Sequence, residues 1–195
     1  MNALILVSGF GGPGLEWRAS PIRCQSEWYG YKSIYFKQCN MGLGDIEHNG
    51  RKLARLVNSV ADLPNCEKVW VVGHSMGGLV ARYAAQHQAR LEGYITIGTP
   101  HKGTYKALLA PWSTSARQMQ PDSQLLKNLN AGPLHPNALN IACRYDTVVP
   151  YKNSIEHNAR ACELVNHTHM SAILSTEVAK SVFGFIQNVD ARNKA

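Results

Sequence analysis

"VVGHSMGGLVARYA", residues 71–84, opens on a β-branched apolar run, passes through glycines on either side of Ser75, and continues in residues that favour a helix. Gly73-His74-Ser75-Met76-Gly77 fits the pattern G-x-S-x-G. With three fixed positions the pattern is weak alone, since shuffled chains of this composition would contain it roughly once in twelve. The setting carries the information. A strand before the serine and a helix after it place the hydroxyl on a sharp turn at the carboxyl end of a strand, as a nucleophile requires. Side chains two residues before and two after would collide in such a turn, and glycine removes them. The helix start then aims free N–H groups at the same spot, where they favour developing negative charge. The bland alternative is a glycine turn with an incidental serine; the strand–helix setting favours the nucleophile.

Outward from this stretch, runs rich in Val, Ile and Leu at residues 3–7, 33–37, 68–73, 93–97, 138–143 and 161–166 lack polar alternation and read as parallel strands buried on both faces. Helical spacing connects them. Ile46, Leu53, Leu56, Val57 and Val60 form one apolar face, with Asp45 and Glu47 in the first turn and Pro64 beyond the end. Leu79, Val80, Tyr83 and Ala84 form a second, and Val178, Val182, Phe185 and Ile186 a third on the last helix. The alternation predicts an α/β fold: a three-layer α/β/α sandwich around a mostly parallel sheet of about six strands. Residues 12–31 and 102–137 break the rhythm and read as functional loops, the second as a small lid or groove insertion with a short helix at 122–129. His157 falls on an expected helix before the last strand, exposed at the surface. The whole chain, 1–195, reads as a single domain.

Composition narrows the classes. The 195 residues are 45% hydrophobic and 17% charged, as in an ordinary folded protein. No apolar stretch approaches the roughly 18 residues of a membrane span. "MNALILVSGFGG" lacks the basic start of a secretory leader and reads as the first strand, so a cytoplasmic location is expected, with export by another route left open. The five cysteines, Cys24, Cys39, Cys66, Cys143 and Cys162, show neither a disulfide framework nor a metal knuckle; reduced thiols are expected, with one bridge from Cys24 to Cys39 as the alternative. The net charge of +7 comes from Lys and Arg spread along the chain without a basic run, which argues for a generally basic surface and against a nucleic-acid partner.

The stretches "LVSGFGG", "VWVVGHSMGGLVARY", "ITIGTPHKGT", "ARQMQPDSQLLKNLN", "RYDTVVP" and "NHTHMSAIL" follow one another between residues 4 and 174. Together they resemble the α/β-hydrolases, specifically the bacterial lipases and esterases, and most closely their smallest cap-less members. The resemblance implies a minimal α/β-hydrolase fold, an ester substrate that includes lipid esters, and no cofactor.

A serine needs a base to become nucleophilic, and the base needs an orienting carboxylate. After Ser75 the acids are Asp122, Asp146, Glu156 and Glu163, and of these Asp146 alone directly follows a predicted strand end. The family places its acid in that loop. His167 and His169 both lie between the last strand and the last helix; His169, in "HMSAIL", fits the family better, with His167 as the alternative. The resemblance assigns the two backbone N–H donors of an oxyanion hole to Phe10 and Met76, the residue after the nucleophile. Where the family usually has His-Gly before the first donor, this chain has Ser8-Gly9. His74 belongs to the elbow, and His101 resembles a recurring loop position near the site. Some larger lipases carry calcium, but no His and carboxylate pattern for a metal is visible here, and none is expected.

Leu108, Leu109, Trp112 and Leu125, with Leu126 and Leu129, are candidates to line an acyl groove; the alternative is that they merely cover the sheet. The expected activity is carboxylic ester hydrolysis through an acyl-enzyme. Phospholipid or thioester deacylation and acyl transfer use the same groups, and a hydrolase-fold binding protein is the non-enzymatic alternative.

Overall fold

β-Branched and aromatic side chains pack into six strands: β1 (Asn2–Val7), β2 (Tyr31–Phe36), β3 (Lys68–His74), β4 (Gly93–Ile97), β5 (Ala138–Cys143) and β6 (Cys162–Val165). The computed structural model describes residues 1–157 and 159–194. The strands form one sheet in the order β2-β1-β3-β4-β5-β6, every neighbouring pair parallel. β4 and β5 are buried along their whole length and β1 and β3 after their first residue, whereas the edge strands β2 and β6 are partly exposed. That is why the central strands lack polar alternation.

Helices cover both faces: α1 (Pro21–Ser26), α2 (Ile46–Ala61), α3 (Met76–Gln86), α4 (Thr114–Gln118), α5 (Gln124–Ala131) and α6 (Thr176–Arg192). Ala3, Ile5, Val7, Val69 and Val71 point to the face where Leu53, Val57, Leu79, Val80, Leu125 and Leu129 pack. Leu4, Leu6, Trp70, Val72, Ile95 and Ile97 point to the other, against Ile22, Val178, Val182 and Phe183. Asp45 caps α2 rather than sitting in its first turn, accepting the Glu47 N–H at 2.8 Å.

Element boundaries depart from the sequence reading in a few places. β2 starts at Tyr31, immediately after Gly30 at φ 79°. The short helix expected at 122–129 is α5, begun two residues later because Ser123 caps it. No α-helix stands between β5 and β6 among the described residues; one 3-10 turn, Tyr151–Asn153, lies there, and His157 sits in an exposed turn. All five cysteines are free, Cys24 and Cys39 included. No helix among the described residues is long and apolar enough to cross a membrane.

Two structural consequences bear on the site. The chain leaves β1 toward α1 on one face and leaves the adjacent β3 into α3 on the other, so the loops diverge and open a crevice at the carboxyl ends of these strands. Beneath it, the fully buried Glu156 carboxylate pairs with Arg82 of α3 at 3.0 Å. Glu156 also accepts from Tyr94 of β4 at 2.9 Å and Asn140 of β5 at 3.0 Å. These bonds tie α3, β4, β5 and the segment after β5 together.

Candidate active site

β3 delivers His74 to the crevice, and the chain turns at Ser75 with φ 54° and ψ −129° before entering α3. This conformation is costly for any residue with a Cβ and persists only where its surroundings hold it. The Ser75 N–H donates to the Ile97 carbonyl at 2.8 Å, and the Ser75 carbonyl accepts from Gly78 at 3.0 Å. The flanking glycines are steric necessities: a Cβ on Gly73 would lie 2.5 Å from the Gly77 carbonyl oxygen, and one on Gly77 would lie 2.4 Å from those of Val7 and Ser8.

Asp146 follows β5 and His169 follows β6. The Asp146 side chain is buried, and its Oδ2 lies 2.6 Å from His169 Nδ1. Its Oδ1 accepts the N–H groups of Val148 and Val149, each at 2.8 Å. The "DTVV" stretch thus fixes its own carboxylate. A carboxylate oxygen accepts, so Nδ1 is the donor in this contact and Nε2 is the ring nitrogen left for another partner. The His169 carbonyl accepts from His74 Nε2 at 3.0 Å, with the two rings 4.8 Å apart. Burial, then the proximity of His169, pushes the His74 pKa down to about 3 and keeps that ring neutral. Gly98, at φ 57°, passes under the pair, where a Cβ would sit 3.2 Å from both Asp146 Oδ2 and His169 Nδ1.

The other histidines lie apart. His167 turns to the surface, where Nε2 meets Glu177 at 3.1 Å. His101, expected near the site, is buried below it against Thr96 at 3.0 Å; burial, then Arg82 and Lys102, holds its pKa well below the usual value. Burial, then Asp146, pushes the Cys143 thiol up to about 12, so this neighbour stays protonated.

The loop after β1 rests against the serine, a Cβ on Gly9 being 3.0 Å from Ser75 Cβ. Gln38, just past β2, donates to the Ser8 carbonyl at 2.6 Å, and Gly12 closes a turn onto the Gly9 carbonyl at 3.2 Å. Phe10 lies inside that turn, while Met76 is the first residue of α3, where an amide has no intrahelical partner. Gln38 and the tie from His74 to His169 escaped the sequence reading. A polar residue directly after a predicted strand was the available signal for Gln38.

Two open clefts meet at Ser75, Phe10 and Val148. One, of about 410 Å³, is mostly apolar, with Pro100, Ala107, Ala110, Ala116 and Met119 among its lining. The other, of about 710 Å³, is lined by Gly12, Pro13, Glu16, His74, His169 and Met170. The leucines and tryptophan proposed for a groove are not in either lining: Leu108, Leu109 and Trp112 are 56%, 72% and 76% exposed, and Leu125 at 3% belongs to the core under α5. The cause is the 3-10 turn at Tyr105–Leu109, whose threefold repeat turns Ala107 and Ala110 inward and the leucines between them outward.

A parallel α/β/α sandwich with a strand–serine–helix elbow, and a carboxylate and an imidazole at later strand ends, is the architecture of the α/β hydrolases. Residues 2–172 match the α/β hydrolase fold family, and the chain belongs to it. Triacylglycerol lipases from Pseudarthrobacter phenanthrenivorans and Burkholderia plantarii are each 35% identical over 88 residues, which is 40% of this chain. The match covers only 28% and 25% of those relatives' own length. The mature lipase BlEst2 of Bacillus licheniformis shares the fold at TM-score 0.74 and 20% identity, over 93% of this chain and 90% of that one.

Proposed function

We propose that this chain hydrolyses carboxylic esters by acyl transfer through Ser75. The observation that carries the reading is the 2.6 Å pairing of Asp146 with His169, whose ring lines the same cleft as the strained Ser75. His169 Nε2 takes the Ser75 proton as Oγ bonds to the ester carbonyl carbon. The resulting oxyanion is held by the Phe10 and Met76 N–H groups, each worth about 2.7–4 kcal/mol in the transition state. The carbon–alkoxy bond then breaks, and His169 returns the proton to the departing alkoxide. Water, deprotonated by the same imidazole, attacks the acyl-enzyme and frees the acid and Ser75. Asp146 keeps the proton on Nδ1 throughout and stabilises the imidazolium. Lipase names among the partial matches agree with an ester substrate. Residues 102–137 contribute a wall of the smaller cleft.

Ser75→Ala is the test: turnover of p-nitrophenyl butyrate falls by about 10⁵ or more, and labelling by a fluorophosphonate probe disappears. A Ser75→Ala protein as active as the parent removes the proposal.

A further inference from the structure

Two clefts meet at Ser75, and the position of His169 says which part of an ester enters each. In acyl transfer the imidazole must reach the leaving oxygen to protonate it. His169 lines the larger cleft and is absent from the lining of the smaller one. The alcohol therefore lies in the larger cleft, and the acyl chain in the smaller one.

The leaving-group cleft has one acidic side chain among its lining residues, Glu16. Glu16 stands on the 3-10 turn Leu15–Ala19, which is anchored by the fully buried Trp17 beside it. Its carboxylate lies over the oxyanion loop, so close that a Cβ on Gly12 would be 2.8 Å from Oε1. Among the described residues no cation forms an ion pair with it. The half-exposed Phe10 and Met170 and the ring of Pro13 supply apolar walls around that charge. A carboxylate with an aromatic face and a thioether suits an organic cation with a greasy envelope, such as a quaternary ammonium.

We propose that Glu16 is a specificity-determining residue that makes the leaving-group cleft selective for esters of cationic alcohols over uncharged and anionic ones. The inference rests on Ser75 acting as the ester nucleophile. Anionic alcohols are disfavoured here even though the chain's net charge of +7 attracts them at long range, because Glu16 lines the cleft itself.

Three butyrate esters test it: butyrylcholine, its uncharged isostere 3,3-dimethylbutyl butyrate, and the anionic 2-sulfoethyl butyrate. For the parent, kcat/KM is expected to favour the choline ester over the isostere by about tenfold, with the sulfonate lowest. Glu16→Gln brings the cation-to-neutral ratio to about one, and Glu16→Lys reverses the order toward the sulfonate. A parent ratio near one, or a ratio unchanged in Glu16→Gln, overturns the proposal. If a fluorophosphonate labels Ser75 but none of the three esters turns over, the alcohol-site assignment fails and the nucleophile stands. If Ser75 is not labelled either, the ester-hydrolase reading fails first.

Discussion

Glu156→Gln is the most informative change outside the clefts. The Glu156 side chain is 1% exposed and Arg82 fully buried, so their 3.0 Å contact is an ion pair removed from water. The glutamine keeps the shape and one carbonyl oxygen for Tyr94 or Asn140, but it leaves the guanidinium without a counter-charge. Among the described residues Arg82 then retains the Leu129 carbonyl at 2.8 Å and Asn130 Oδ1 at 2.9 Å. Breaking one partner of a buried pair costs about 3–5 kcal/mol. For a protein of this size each kcal/mol moves Tm by about 2–4 °C, which gives a fall of roughly 6–20 °C. Circular dichroism melts provide the measurement, and esterase rate well below the transition stays near that of the parent because Glu156 touches neither cleft. The double variant with Arg82→Met is expected to be less damaged than the sum of the two singles, by about 0.5–3 kcal/mol. A Tm drop under about 3 °C for Glu156→Gln, or strict additivity in the double, would show that the pair does not hold α3 to β4 and β5 as argued.

Other consequences are equally checkable. His169→Ala should lower kcat on p-nitrophenyl butyrate by at least about 10⁴, whereas His167→Ala, which loses only a surface contact to Glu177, should change it less than about threefold; the reverse ranking removes His169 as the base. Gln38→Ala should reduce kcat about tenfold with KM little changed, less than removal of an oxyanion donor, because it loosens the loop carrying Phe10 rather than deleting an N–H. His74 has a folded pKa of about 3 against 6.5 for a free imidazole, so the unfolded chain binds the extra proton between those values. Its contribution to stability is complete above pH 6.5 and is lost as pH falls toward about 3, and His101 acts in the same direction. His74→Asn should flatten the acid limb of a urea-unfolding series by up to about 1.4 kcal/mol per pH unit, and an unchanged limb would mean that His74 is not buried neutral.

What the sequence made legible was tied to single chain positions. Six apolar runs matched six strands because central parallel strands have no solvent face to alternate toward. Ser75 and Asp146 each stand just past a strand, so the rule that ligands bind at the carboxyl ends of parallel strands was enough to nominate them and to narrow the base to His167 or His169. Lateral geometry was another matter. Whether Ala107 or Leu108 faces the cleft depends on a 3-10 turn rather than an α-helix, and apolarity ranked the leucines first. Choosing His169 over His167 needed resemblance because two histidines two residues apart share every local signal; the contacts to Asp146 and Glu177 separate them in space. Glu16 gave no signal at all, lying in an irregular loop whose path is set by the buried Trp17.

The Ser8-Gly9 pair shows how a departure from a family pattern is absorbed by the fold. The main-chain donor proposed at Phe10 requires only that its loop be held still, and the holding group need not come from the loop. β1 and β2 run parallel with Val7 opposite Phe36, so residues just beyond each strand emerge side by side. Gln38 is therefore within reach of the Ser8 carbonyl, while Gly77 of α3 closes on the same carbonyl from the neighbouring strand's helix. The loop backbone is hydrogen-bonded from one side and closely packed from the other. Residue 8 then needs little more than a small side chain that tolerates burial, which serine provides. Tolerance at position 8 and sensitivity at Gln38 and Gly77 are two sides of one arrangement.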